Sequence, residues 1–104
     1  MKRGEVWWAK VPPPIGRRPV VLLSRNAAYA VRASVTVAPV TRTVRDLPVE
    51  VRLGPPDGLP AACVVNLDDI FTISKKRLER CLTTLSPEKV ASLNEAIKFA
   101  LALR

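Results

Sequence analysis

Proline decides most of what this chain can become. Ten prolines stand among 104 residues, and all but Pro87 fall within the first 60. Each ring fixes φ and removes a backbone donor, so no long helix can run through that part. Strands there must be short and bounded by stiff turns. "PPPIG" and "GPPDGLP" are such turns. The segments between them carry strand patterns. "EVWWAKV" alternates weakly, and "PVVLLSR" is the continuous apolar run of a strand covered on both faces. "ASVTVAPVT" sets Val35 and Val37 against Thr36 and Ala38. "PVEVRL" is the clearest alternation, with Val49, Val51 and Leu53 inward and Glu50 and Arg52 outward. "AACVVNL", "IFTIS" and "CLTTL" extend the series. Pro39 predicts that the third strand runs along a sheet edge or ends there.

Only the C-terminus reads as a long helix. Ser86 is a good N-cap, Pro87 suits the first helical position, and Glu88 complements the positive end of the helix dipole. Val90, Leu93, Ile97 and Ala100 follow at helical spacing and should face the core. Phe99 and Leu103 lie off that stripe, with Ala96 between; such a second apolar patch suits a wide core face or a partner chain. "KKRLE" from Lys75 adds a helical turn. Five to seven short strands and one helix, with no repeat and no linker, predict one mainly β domain over 1–104. A small barrel suits this pattern because closure removes exposed edges, and the helix would cover one opening.

The charge is lopsided: 17 basic residues against 9 acidic, a formal net +8. A field of that sign favours polyanions, namely nucleic acid, an acidic membrane face or an acidic protein segment. Histidine is absent, which excludes Ser-His-Asp triads and histidine metal sites. Cys63 and Cys81 are the only thiols, too few for a tetrahedral zinc site in one chain. No segment is apolar enough for export or membrane anchoring, so a cytoplasmic protein with reduced, mostly buried cysteines is expected.

Arg18 stands out among the cations. Pro19 biases its backbone toward extended geometry, and the strand behind it should be rigid. Arg18 therefore projects from a fixed base beside a proline-stiffened loop, as a phosphate-binding charge requires; a surface ion pair would use the same residues. Arg17 points the other way, toward solvent or an RNA backbone. Thr41 closes the third strand, where its hydroxyl can reach a phosphate or satisfy the turn. Arg42 and Arg45 thicken the basic rim. Asp68 and Asp69 are adjacent, which suits a turn better than a carboxylate pair. Trp7 and Trp8 face opposite sides, one toward the core and one available for stacking.

The ordered set "RGEVWWAKV", "RRPVVLLSRN", "VTVAPVT", "PVEVRL", "ACVVNLDDIFTISKKRLE" and "LSPEKVASLNEAIKFAL" resembles the MazF/PemK family of toxin ribonucleases across nearly the whole chain. The resemblance implies an SH3-like barrel with a C-terminal helix, acting as a homodimer. It implies a metal-independent endoribonuclease, without cofactor, that cuts single-stranded RNA at specific sequences. In that chemistry the ribose 2′-hydroxyl attacks the adjacent phosphate, leaving 2′,3′-cyclic phosphate and 5′-hydroxyl ends. It places Arg18 and Thr41 in the catalytic site and Asn26 and Asp69 where members contact RNA. It also implies a MazE-like antitoxin with an acidic segment. One departure stands out. Many members carry a serine–glutamate–glutamine stretch in the first loop, whose glutamate is a proposed general base. "PPPIGRRP" has no carboxylate, so solvent, a neighbouring carboxylate or the partner subunit must serve. Two other functions fit a chain of this kind: a gyrase poison of the CcdB type, which would use the helix end and not Arg18, and a non-catalytic RNA-binding module.

Overall fold

In a computed structural model describing residues 1–104, seven strands precede one long helix. The strands are β1 (Glu5–Ala9), β2 (Arg18–Leu22), β3 (Ser34–Thr41), β4 (Glu50–Leu53), β5 (Cys63–Asn66), β6 (Phe71–Ser74) and β7 (Leu78–Thr84). A four-residue helix, α1 (Ala28–Val31), bridges β2 and β3, and α2 (Pro87–Ala100) closes the fold. "KKRLE" supplies a 3₁₀ turn over Lys75–Arg77 before β7.

The strands run antiparallel in the order β4-β5-β3-β2-β1-β7, with β6 also paired to β3. The mainly β fold with a C-terminal helix is as expected, but the sheet does not close into a ring: β4 and β7 end its main path, and β6, paired only to β3, ends a branch. The α2 helix lies against β4 instead of over an opening. Lys89 Nζ donates to the Arg52 carbonyl at 2.6 Å, so the helix occupies part of that edge. Covering an edge with a helix removes the same liability as closure.

Pro39 corrects a second expectation, because β3 is the central strand. Leu23 N–H donates to Thr36 C=O at 2.9 Å, and Val20 pairs with Pro39 three positions further along. Alternation of the antiparallel ladder then turns the backbone nitrogen of residue 39 away from β2. On that other side β3 pairs with β6 through Ser34–Val37 and with β5 through Val40–Thr41. The missing donor falls between these two partners, where no ladder bond is lost.

The two sheet faces bury separate cores. One holds Val6, Val21, Ala38, Val51, Leu53 and Val65 against Leu67, Leu93 and Ala96. The other gathers Ala9, Val20, Leu22, Tyr29, Val35 and Val37. Strand β2 thus feeds both faces, as its unbroken apolar run anticipated. Ser86 caps α2 by accepting from the Lys89 N–H at 3.2 Å. Leu93 and Ala96 are buried, Val90, Ile97 and Ala100 pack at the margin of the core, and Phe99 and Leu103 are exposed.

The turn before β5 depends on Gly58. Its φ is +91°, a left-handed conformation that a side chain strains, and a Cβ there would collide with Thr83 Oγ1. That hydroxyl already donates to the Asp57 carbonyl at 2.9 Å. Gly58→Ala is expected to lower stability by about 2 kcal/mol, read as the shift in urea midpoint. A midpoint equal to that of the parent chain would refute this.

Candidate active site

Strand register assembles a polar cleft at one end of the sheet. Val20 lies opposite Pro39, Thr41 opposite Val64, and Glu50 opposite Asn66. Continuing the β2–β3 register outward brings Arg18 across from Thr41. Side chains two apart on a strand share a face, so Arg18, Thr41, Asn66 and Glu50 all emerge on one side. They line one recess together with Pro39, Thr43, Arg45 and Asp69.

Arg18 is an unpaired charge of this cleft. The ion pairs of the chain join Arg17 to Glu79, Arg52 to Asp46 and Lys98 to Glu95, and none uses Arg18. Its Nε is buried and has no hydrogen-bond partner. A half-buried guanidinium without a counterion suits an anion brought by a ligand. Thr41 Oγ1 accepts from the Thr43 N–H at 3.2 Å, which leaves its own proton free to donate. The acids of the cleft are held by neighbours. Asn66 Oδ1 accepts from the Asp68 N–H at 2.9 Å, and Asn66 Nδ2 donates to Asp69 Oδ2 at 3.0 Å. Glu50 Oε1 accepts from the N–H groups of Arg45 at 3.0 Å and Leu47 at 3.4 Å, pinning the loop that carries Thr43 and Arg45.

Two less polar recesses flank the cleft. One shares Arg18, Pro39 and Asp69 and is walled by Pro14, Ile15, Ile70 and Phe71. The other shares Thr41 and is walled by Trp8, Pro19, Leu59, Pro60 and Cys63, with Arg42 at its rim. A charged centre between aromatic and apolar shelves matches a phosphate flanked by two bases.

Of the residues singled out in the sequence, Arg18, Thr41 and Asp69 meet in the cleft, and Arg42 borders the Trp8 recess. Arg17 lies outside it. Its guanidinium pairs with Glu79 at 2.9 Å and stacks 5.2 Å from the centroid of Trp8. Asn26 lies outside the cleft, beyond the opposite end of β2, and its Oδ1 accepts from the Arg3 N–H at 2.7 Å, which ties down the N-terminus. Asn66 and Glu50 were missed. The outward alternation of "PVEVRL" signalled that Glu50 is accessible, but the pairing with β5 that sets it beside Asn66 in the cleft is a long-range fact. Trp7 takes the core side, as expected of one tryptophan, and its Nε1 donates to Glu5 Oε1 at 3.0 Å.

Both thiols are free, but only Cys63 is buried; Cys81 is exposed on the edge strand β7, contrary to expectation. Burial pushes the Cys63 thiol above its ordinary value, with Asp57 adding to the effect and Arg42 opposing it. Partial desolvation on its strand, with Glu5 adding to the effect, raises Cys81 as well. Protonated thiols are poor nucleophiles. Cys63→Ala combined with Cys81→Ser is therefore expected to keep RNA cleavage within about twofold of the parent rate. A folded double variant that no longer cleaves would assign a thiol to the reaction.

Known proteins share this sequence pattern and this fold. A family model described as "PemK-like, MazF-like toxin of type II toxin-antitoxin system" matches residues 2–101. The chain is 41% identical over 99 residues to the Probable endoribonuclease MazF5 of Mycobacterium tuberculosis, covering 94% of this chain and 90% of that protein. Its fold superposes on the solved structure of Mycobacterium tuberculosis toxin MazF-mt6 with a TM-score of 0.89 at 34% identity, over 96% of this chain and 98% of that one. A mycobacterial endoribonuclease solved in complex with its cognate antitoxin gives a TM-score of 0.88 at 32% identity, over 100% of this chain and 97% of that one. With the family model spanning nearly its full length, the chain belongs to the PemK-like, MazF-like toxins of type II toxin–antitoxin systems.

Proposed function

We propose that the chain is an endoribonuclease that cuts single-stranded RNA in the Arg18–Thr41 cleft. The observation that carries this reading is the unpaired Arg18 guanidinium facing Thr41 at a register-fixed position. A bound phosphodiester would take Arg18 on one oxygen and the Thr41 hydroxyl on another. Attack by the 2′-hydroxyl forms the O2′–P bond and expels the 5′-oxygen, so negative charge grows on the phosphoryl oxygens. A guanidinium held in place for that charge lowers the barrier without reorganising. It serves as an electrostatic stabiliser and not as a base, since guanidinium does not deprotonate at neutral pH. Arg42 borders the groove on one side, and Arg17 with Trp8 gives the adjoining surface a cationic, stackable patch.

The same groove suits the restraining partner. A chain of net charge +8 would attract an antitoxin with an acidic, extended segment, which would cover the groove and compete directly with RNA. The chain would work as a homodimer, in keeping with the family.

The test uses the purified full chain, a long single-stranded RNA and excess EDTA, with new 5′ ends mapped. Discrete cuts bearing 5′-hydroxyl groups are expected. Intact RNA that is nevertheless bound in a salt-sensitive manner would leave a non-catalytic binding module. Inhibited DNA supercoiling with intact RNA would transfer the case to a gyrase poison.

A further inference from the structure

The first loop lacks the carboxylate that would accept the 2′-hydroxyl proton, yet the cleft contains two others, Asp69 and Glu50. They are not equivalent. Glu50 is committed to the backbone, since one of its oxygens takes two N–H groups and anchors the Arg45 loop. Asp69 takes a single side-chain bond on Oδ2, from Asn66 Nδ2 at 3.0 Å, and Oδ1 has no protein partner. It also borders both the polar cleft and the Phe71 recess, which share Arg18, Pro39 and Asp69. A nucleotide with its base in that recess and its phosphate on Arg18 would bring its ribose past Asp69.

Given RNA cleavage in this cleft, on which the inference rests, we propose that Asp69 is the general base of the reaction and that Asn66 is the positioning residue that orients it. Oδ1 takes the proton from the 2′-hydroxyl as the O2′–P bond forms. The P–O5′ bond breaks, and the departing 5′-oxygen takes its proton from water. The proton on Asp69 then returns to solvent, so the carboxylate is regenerated. The charged and titratable groups facing it are Arg18 from β2, Arg45 and Glu50 across the cleft, and Asp68 in its own turn. Strand β3 contributes no titratable side chain, and α2 meets this turn in the core that holds Leu67 and Leu93.

The test compares the parent chain with Asp69→Asn and Asp69→Ala under single turnover on an RNA that the parent cuts. A positioned base contributes about 10²–10⁴ to rate, so Asp69→Asn should slow cleavage by about a hundredfold or more. Binding of the same RNA carrying a 2′-O-methyl group at the cut position should change by less than about threefold. The parent rate should fall toward acid pH as the base is protonated, and this acid limb should vanish in Asp69→Asn. Added formate should restore part of the rate of Asp69→Ala. Asn66→Ala should slow cleavage less and keep the acid limb. The inference is overturned if Asp69→Asn cleaves at the parent rate, if it loses binding in proportion to rate, or if it only moves the cut to other sequences. A parent chain that cuts no RNA would instead overturn the function on which the inference rests.

Discussion

Arg18→Ala is expected to lower the rate of RNA cleavage by about 10²–10³, the loss typical when one preorganised donor to a developing oxyanion is removed. The drop should fall on the chemical step more than on binding, because other cations, Arg17, Arg42 and Arg45 among them, still attract the polyanion. Stability should change little, since Arg18 makes no ion pair and its Nε has no partner to lose. Removing a partly buried cation with no counterion relieves a desolvation cost, so the melting temperature should hold or rise slightly. Arg18→Lys is the sharper control. It keeps the charge but not the planar fork that takes two phosphate oxygens at once, and should restore only part of the rate. Single-turnover cleavage and thermal melts of the three proteins decide the matter. Parent-level cleavage in Arg18→Ala would remove this cleft as the site of reaction.

The second large effect lies in the core. Leu93 is fully buried and sits in the core cluster that also holds Leu67, Val65 and Ala96. Leu93→Ala deletes three buried carbons and leaves a cavity that the surrounding strands cannot collapse to fill, which costs about 2–5 kcal/mol. A chain of this size is stable by only about 5–15 kcal/mol, so the variant should lose a large part of its margin. The melting temperature should fall by roughly 8–40 °C, taking about 4–8 °C per kcal/mol for a domain near this length. Cleavage at low temperature should survive, because the cleft lies at strand ends and takes no side chain from α2. A shift below about 3 °C would show that the helix is not a structural member of the core.

Much of this was legible before any coordinates. The proline spacing isolated the strands, and the Ser86–Pro87–Glu88 start marked α2 within one residue. The Arg18–Pro19 step announced a rigidly mounted cation, and Arg18, Thr41 and Asp69 do meet. What failed was whatever depends on pairing between distant segments. Pro39 reads as a strand breaker because a proline lacks a donor, and only the handover from β6 to β5 makes that lack harmless. Glu50 and Asn66 sit 16 residues apart, and neither signals the other until β4 pairs with β5. Closure into a ring was inferred from the need to hide edges, but α2 meets that need at β4 by another route. Asn26, which the family pattern sets at the RNA, holds the Arg3 N–H at the far end of β2, a contact that no local sequence signal announces.

The handover in β3 has a dynamic consequence. One backbone segment is shared by the β2, β5 and β6 ladders, so none of these pairings can melt without disturbing the other two. Amide protons of β3 should accordingly exchange only through global opening, and the whole molecule should lose structure in one step. Because Thr41 terminates that segment, the end of the strand that carries it is held by the same three-way pairing, and the groove should stay rigid whether or not it is occupied.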